Sequence, residues 1–186
     1  MLDLSKIDKS WTLFLDRDGV LNHEKKEDYI LNWVEFQFYD GVLEALKQLN
    51  EVFGVIVLVT NQRGVGKGLM TLDDLADIHR NMMEKINTAG GRIDKLYFCA
   101  DLEMDSFYRK PNPGMAELAK NDFPQIEISR SLIVGNKLSD MRFGRNAGMH
   151  TVYVATTNPE VTDSDPLVDA RFNNLPEFAQ TVTRKS

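Results

Sequence analysis

A run of apolar residues, Trp11-Thr12-Leu13-Phe14-Leu15, breaks off at Asp16-Arg17-Asp18-Gly19-Val20-Leu21-Asn22. A continuous apolar run closed by a glycine suits a parallel strand covered on both faces. Two carboxylates therefore stand at a strand's carboxyl end, the edge at which open α/β sheets bind ligands. Past its last ladder bond the chain curls, so both side chains can turn toward one point, and a cation such as Mg2+ is the simplest way to hold them there. Taken alone, Asp-x-Asp-Gly fits an ordinary acidic turn equally well, since both residue types dominate turns.

The same punctuation recurs along the chain. Val42, Leu43, Leu46, Leu49 and Phe53 follow helical spacing until Gly54, and Val55 to Val59 then reads as a second strand ending at Thr60-Asn61-Gln62. Residues 63–68 read as a glycine-rich loop. Thr71 and Asp74 form a capping-box signature for a helix with Leu72, Leu75, Ile78, His79, Met82, Met83 and Ile86 on its apolar face. Leu96 to Cys99 predicts a third strand. Pro113 suits the first residue of a helix through Met115, Leu118 and Ala119. Ser131 to Val134 predicts a fourth strand, ending at Gly135-Asn136-Lys137-Leu138-Ser139-Asp140. A helix to Gly148, a strand from Thr151 to Val154, a polar loop from Thr156 to Asp165 and a short helix from Leu175 complete the pattern. Strands alternating with helices imply right-handed crossovers, hence a doubly wound parallel sheet of the α/β class.

At 186 residues the chain suits one domain, 1–186, with a substantial core. Its formal net charge of -6, with no basic stripe, argues against a nucleic-acid partner. Cys99 is the only cysteine, which excludes an internal disulfide and a cysteine-cluster zinc site. The amino terminus lacks the basic and apolar regions of a secretory signal, and no stretch approaches the roughly 20 apolar residues of a membrane span. A cytoplasmic protein, monomeric and without membrane contact, is expected. Cys99 reads as a small buried hydrophobe and His79 as a packed helix-face residue, whereas His23 and His150 have no partner visible in sequence.

The polar clusters Asp16/Asp18, Thr60-Asn61, Arg109-Lys110 and Asn136/Asp140 all fall at or just beyond strand carboxyl ends, so they converge on one sheet edge. Carboxylate oxygens suit Mg2+, and a hydroxyl, an amide and a lysine suit a phosphoryl group. Phosphoryl transfer asks for little else than a nucleophile in line, a metal and donors around the developing charge.

Asp16-Arg17-Asp18-Gly19-Val20-Leu21-Asn22, Thr60-Asn61-Gln62, Arg109-Lys110-Pro111-Asn112-Pro113-Gly114-Met115 and Gly135-Asn136-Lys137-Leu138-Ser139-Asp140-Met141 resemble the four ordered motifs of the haloacid dehalogenase superfamily. The resemblance is strongest to its histidinol-phosphatase and D-glycero-D-manno-heptose 1,7-bisphosphate phosphatase branch, and it spans the first to the fifth strand. It implies a Rossmann-like fold with minimal cap, and a two-step hydrolysis through an aspartyl-phosphate on Asp16. Asp18 would serve as general acid and then general base, while Thr60 and Lys110 hold the phosphoryl oxygens. Mg2+ would be held by Asp16, Asp18 through its backbone carbonyl, Asn136 and Asp140. Asn61, Gln62, Arg63, Lys67 and Arg109 stand where the branch recognises its small phosphorylated substrate, and a second phosphate would suit Lys67 and Arg109. The stretch from Asn22 to Tyr39 reads as a flap over the site.

Two departures from the family pattern stand out. Asn136 occupies a position that is normally aspartate, which removes one negative charge from the metal site and predicts weaker Mg2+ binding unless Asp140 compensates. The loop from Ala100 to Tyr108 lacks the cysteines and histidine that hold a structural zinc in this branch, so zinc is not expected. The resemblance leaves open a heptose 1,7-bisphosphate 7-phosphatase, a histidinol-phosphatase, a polynucleotide 3′-phosphatase, and a phosphometabolite-binding protein without turnover.

Overall fold

The computed structural model describes residues 2–25 and 28–184. Six strands, β1 (Thr12–Leu15), β2 (Val55–Asn61), β3 (Lys95–Cys99), β4 (Ser131–Gly135), β5 (His150–Val154) and β6 (Ala170–Phe172), form one parallel sheet in the order β3-β2-β1-β4-β5-β6. The winding reverses between β1 and β4, so the crevice beyond their carboxyl ends is the topological switch point of the sheet.

Residue parity explains why the central strands read as unbroken apolar runs. Leu13, Leu15, Ile56, Leu58, Leu132 and Val134 pack toward α1 (Val42–Val52), α3 (Leu72–Thr88) and α6 (Leu175–Thr183). Phe14, Val57, Val59 and Ile133 pack on the other face, against α4 (Gly114–Asp122) and α5 (Leu138–Ala147). Both faces are thus dry, and each fully buried aliphatic side chain contributes about 1.5–3 kcal/mol. The capping box of α3 forms as expected, with Thr71 accepting from the Asp74 N–H and the Asp74 carboxylate accepting from the Thr71 N–H.

The structure corrects four expectations. The glycine-rich stretch is not simply a loop: residues Arg63–Gly66 form one helical turn, α2. A Cβ on Gly66 would lie 2.0 Å from the Ala100 carbonyl oxygen, so the glycine serves close packing of α2 against the loop after β3. Pro113 is the N-cap of α4 rather than its first helical residue. Leu72, expected on the apolar face of α3, is 58% exposed because it occupies the first turn, beyond the edge of the core. Finally, β6 was not expected. It is three residues long and half-buried throughout, so it carries no apolar run, and its place is secured by Asp169, which accepts from Arg145 Nη2 at 2.7 Å and from the Thr151 N–H at 3.0 Å.

The flap from Asn22 to Tyr39 holds one 3-10 turn, Trp33–Glu35, and no other helix or strand among its described residues; residues 26 and 27 lie outside them. It bridges back to the body through the isolated pairings Asp18 with Asn22 and Asn22 with Phe38. No helix among the described residues is long and apolar enough to cross a membrane.

Candidate active site

Strand register brings the polar clusters together. Leu15, the last residue of β1, lies level with Leu58 of β2 and Val134 of β4. Asp16 follows one residue later, and Thr60 and Asn136 lie two residues beyond those partners on either side. The Asp16 N–H continues the ladder by donating to the Val134 carbonyl at 3.0 Å.

The centre of the site is Lys110, 3% exposed, whose Nζ lies 2.8 Å from Asp16 Oδ1 and 2.8 Å from Asp140 Oδ1 and donates to the Val59 carbonyl at 2.9 Å. Although burial disfavours its charge, the two carboxylates outweigh that effect and raise its pKa. Asp16 is raised to about 6, because burial together with the charges of Asp140 and Asp18 overrides the attraction of Lys110. Asp18 moves the other way. Burial pushes its carboxyl up, but the Arg17 charge and hydrogen bonds from Asn22, Arg17 and Gln62 hold it below the usual range.

Hydrogen bonds orient each group. Gln62 Nε2 donates to Thr60 Oγ1 at 2.9 Å and to Asp18 Oδ2 at 3.0 Å, so the Thr60 hydroxyl keeps its own proton for another acceptor. Asn61 faces the backbone of Lys110, accepting from its N–H and donating to its carbonyl at 3.0 Å each. Arg109 Nη1 donates to the Leu102 carbonyl at 2.7 Å, whereas its Nε and that of Arg63 are buried without a partner. Lys67 is exposed and stands 5.1 Å from the Tyr29 ring centroid.

Asp16, Asp18, Thr60, Lys110 and Asp140 line one cleft of about 620 Å³, and so do Asn61, Gln62, Arg63, Lys67 and Arg109. Asn136 lies beneath it, fully buried, with Nδ2 donating to Thr157 Oγ1 at 2.7 Å and its backbone carbonyl accepting from Asn158 Nδ2 at 3.0 Å. Gly19, at φ +86°, passes so close that a Cβ there would lie 2.0 Å from Asn136 Nδ2. Sequence reasoning missed Thr157 and Asn158, whose polar loop gave no sign of reaching β4. It also assigned no role to Lys137, which pairs with Glu24 of the flap at 2.7 Å, or to Arg17 and His79. Arg17 lies just past β1 between Asp16 and Asp18, and a cation between two carboxylates was the available signal for it.

No group of three His, Cys, Asp or Glu side chains able to hold a metal occurs among the described residues. Both oxygens of Asp140 are engaged, one by Lys110 and the other by the Lys137 N–H at 3.1 Å. Nevertheless the donor set fits a hard cation. Asn136 Oδ1 is a buried acceptor without a partner, Asp16 presents a carboxylate, and the three carboxylates Asp16, Asp18 and Asp140 gather beside Arg17 and Lys110 at the centre. Cys99 is buried and free, as expected.

Residues 7–165 match the family model described as polynucleotide kinase 3 phosphatase. A D-glycero-alpha-D-manno-heptose-1,7-bisphosphate 7-phosphatase of Mycobacterium tuberculosis is 37% identical over 92% of this chain and 91% of its own. A D-glycero-beta-D-manno-heptose-1,7-bisphosphate 7-phosphatase of Yersinia pestis is 32% identical over 91% and 94%. Among solved structures, a D,D-heptose 1,7-bisphosphate phosphatase from B. bronchiseptica complexed with magnesium and phosphate superposes with a TM-score of 0.86 at 25% identity, covering 95% of this chain and 99% of that one. With Asp16, Thr60 and Lys110 gathered at the switch point, the chain belongs to the polynucleotide kinase 3 phosphatase family and is a haloacid dehalogenase-type phosphatase of the heptose-bisphosphate branch.

Proposed function

We propose that this phosphatase removes the 7-phosphate of D-glycero-D-manno-heptose 1,7-bisphosphate in the cytoplasm, acting as a single-domain monomer. The observation that carries the reading is the Lys110 ammonium, held 2.8 Å from Asp16 Oδ1 where a transferring phosphoryl oxygen needs a cation. Asp16 attacks phosphorus, the phosphorus–oxygen bond to the sugar breaks, and Asp18 delivers a proton to the leaving oxygen. Water then attacks the aspartyl-phosphate, gives a proton to Asp18 and releases phosphate, which restores Asp16. Asp18 is ionised in the resting site, and the approach of a phosphate dianion favours its protonation by like-charge repulsion. The Thr60 hydroxyl donates to a phosphoryl oxygen because Gln62 already occupies it as an acceptor.

The Asp16 carboxylate, the Asp18 backbone carbonyl and Asn136 Oδ1 would hold Mg2+. Bound there, it would neutralise charge between the phosphoryl oxygens and the carboxylates. Asp140 serves in this reading as the counter-ion that orients Lys110, and Asn61 as the brace of its backbone. The unpartnered Nε–H groups of Arg63 and Arg109, with Lys67 on the rim, support recognition of a second phosphate.

The family description favours a polynucleotide 3′ end as a second reading. The net charge of -6 and the acidic Glu24 and Asp28 along the cleft oppose it. Phosphate release from both heptose 1,7-bisphosphate anomers, histidinol phosphate and a 3′-phosphorylated oligonucleotide, with and without Mg2+, decides the matter. The expected order places a heptose bisphosphate first by at least about tenfold in kcat/KM, a difference of roughly 1.4 kcal/mol. Preference for histidinol phosphate or the oligonucleotide would replace the substrate assignment, and absence of turnover on all four would replace the enzyme reading with a binding role.

A further inference from the structure

Beneath Asp18 lies a buried ionic chain that none of these steps uses. Arg17 is 1% exposed and is among the largest fully buried side chains of the described residues. Its Nη2 and Nε lie 3.0 and 3.3 Å from Asp18 Oδ1, and its Nη1 lies 3.0 Å from Nε2 of His79, a buried residue on α3. An arginine can only donate, so His79 Nε2 is an acceptor and the ring is neutral, with its proton on Nδ1. Burial and the neighbouring guanidinium lower the His79 pKa to about 3, in keeping with that assignment.

The guanidinium is planar, so fixing Nη1 against His79 fixes the plane in which the other nitrogens meet Asp18. His79 is itself immobilised by α3, anchored in the core through Leu75, Ile78, Met82 and Ile86. Asn22 Nδ2 adds a third donor to Asp18 Oδ1 at 2.9 Å. Oδ1 thus takes three donors, and Oδ2 takes two, Gln62 Nε2 and Arg17 Nη2 at 3.0 Å each.

We infer that Arg17 and His79 are positioning residues that set the carboxyl of Asp18 for proton delivery to the leaving oxygen. The inference rests on the proposed general-acid role of Asp18. It makes α3, whose sequence distance from Asp18 is about sixty residues, part of the acid-base apparatus.

Leaving-group dependence tests it, because an aryl phosphate with an acidic phenol departs without a proton and an alkyl phosphate does not. The quantity read is the ratio of kcat/KM on 4-nitrophenyl phosphate to kcat/KM on the preferred sugar phosphate, in Mg2+, for wild type, His79→Leu, His79→Gln, Arg17→Lys and Asp18→Asn. His79→Leu and Arg17→Lys are expected to raise this ratio at least about tenfold, part of the roughly 10²–10⁴-fold that general acid-base catalysis supplies. His79→Gln, whose amide oxygen still accepts from Arg17, is expected to return most of the wild-type ratio. A parallel loss on both substrates, or no loss on either, overturns the inference; if His79→Leu does not fold, Arg17→Lys decides. Asp18→Asn separates the two levels. An unchanged ratio in Asp18→Asn removes the general-acid reading itself, whereas a raised ratio there with none in the Arg17 and His79 variants removes only the positioning role.

Discussion

Asn61 and Lys110 exchange two hydrogen bonds of 3.0 Å, the side-chain amide of one matching the backbone N–H and C=O of the other. An asparagine at the end of β2 thereby extends the sheet's pairing to a loop 49 residues away. Removing it should loosen the lysine rather than a substrate contact. Asn61→Ala is expected to cost about 1–2 kcal/mol of stability, by denaturant titration, and to lower kcat about tenfold. An increase confined to KM, with stability unchanged, would make Asn61 a substrate ligand instead.

Asn136 offers an uncharged oxygen at a position where a carboxylate would attract a divalent ion more strongly. In Asn136→Asp the Thr157 hydroxyl can rotate to donate where it now accepts, so the fold is expected to persist. The Mg2+ concentration for half-activation should fall several-fold, and Mg2+ should raise the melting temperature further than in the parent protein. Equal Mg2+ dependence of both proteins, in activity and in melting, would exclude Asn136 from the metal site.

Asp16 is held ionised against burial and two neighbouring carboxylates, so function is placed at some cost to stability. Asp16→Asn is expected to abolish turnover and, in EDTA, to melt higher than the parent by roughly 5 °C, about 2 kcal/mol for a chain of this size. Measurable phosphatase activity in this variant would remove the nucleophile assignment.

His79 carries the clearest pH dependence. Its folded pKa of about 3 lies below the ordinary 6.5, so between those values the unfolded chain binds the extra proton. Stability supported by the neutral ring is complete above about pH 6.5 and falls as the medium is acidified toward pH 3, by up to about 1.4 kcal/mol per unit. Urea midpoints measured from pH 7 to pH 4 should therefore decline less steeply in His79→Gln than in the parent. Identical slopes would show that His79 does not titrate differently on folding.

Much of this architecture was legible in the linear chain because its causes are local. A strand covered on both faces is apolar through its middle, and it ends where polar residues can meet solvent or ligand; β1, β2 and β4 followed that rule, and their register then carried Asp16, Thr60 and Asn136 close together. The capping box of α3 and the glycine stop after α5 were equally local. Tertiary structure decided what depends on partners distant in sequence. The short edge strand β6 has no apolar run and exists through its pairing with β5 and the bonds of Asp169. The commitment of Asn61 to Lys110, of Asp140 to the same ammonium, and of His79 to Arg17 each required two segments to be packed before either side chain had a partner. Residue type limits what a buried polar group can bond, but only the assembled sheet and helices determine which group it meets, because an unmatched one would leave its desolvation uncompensated.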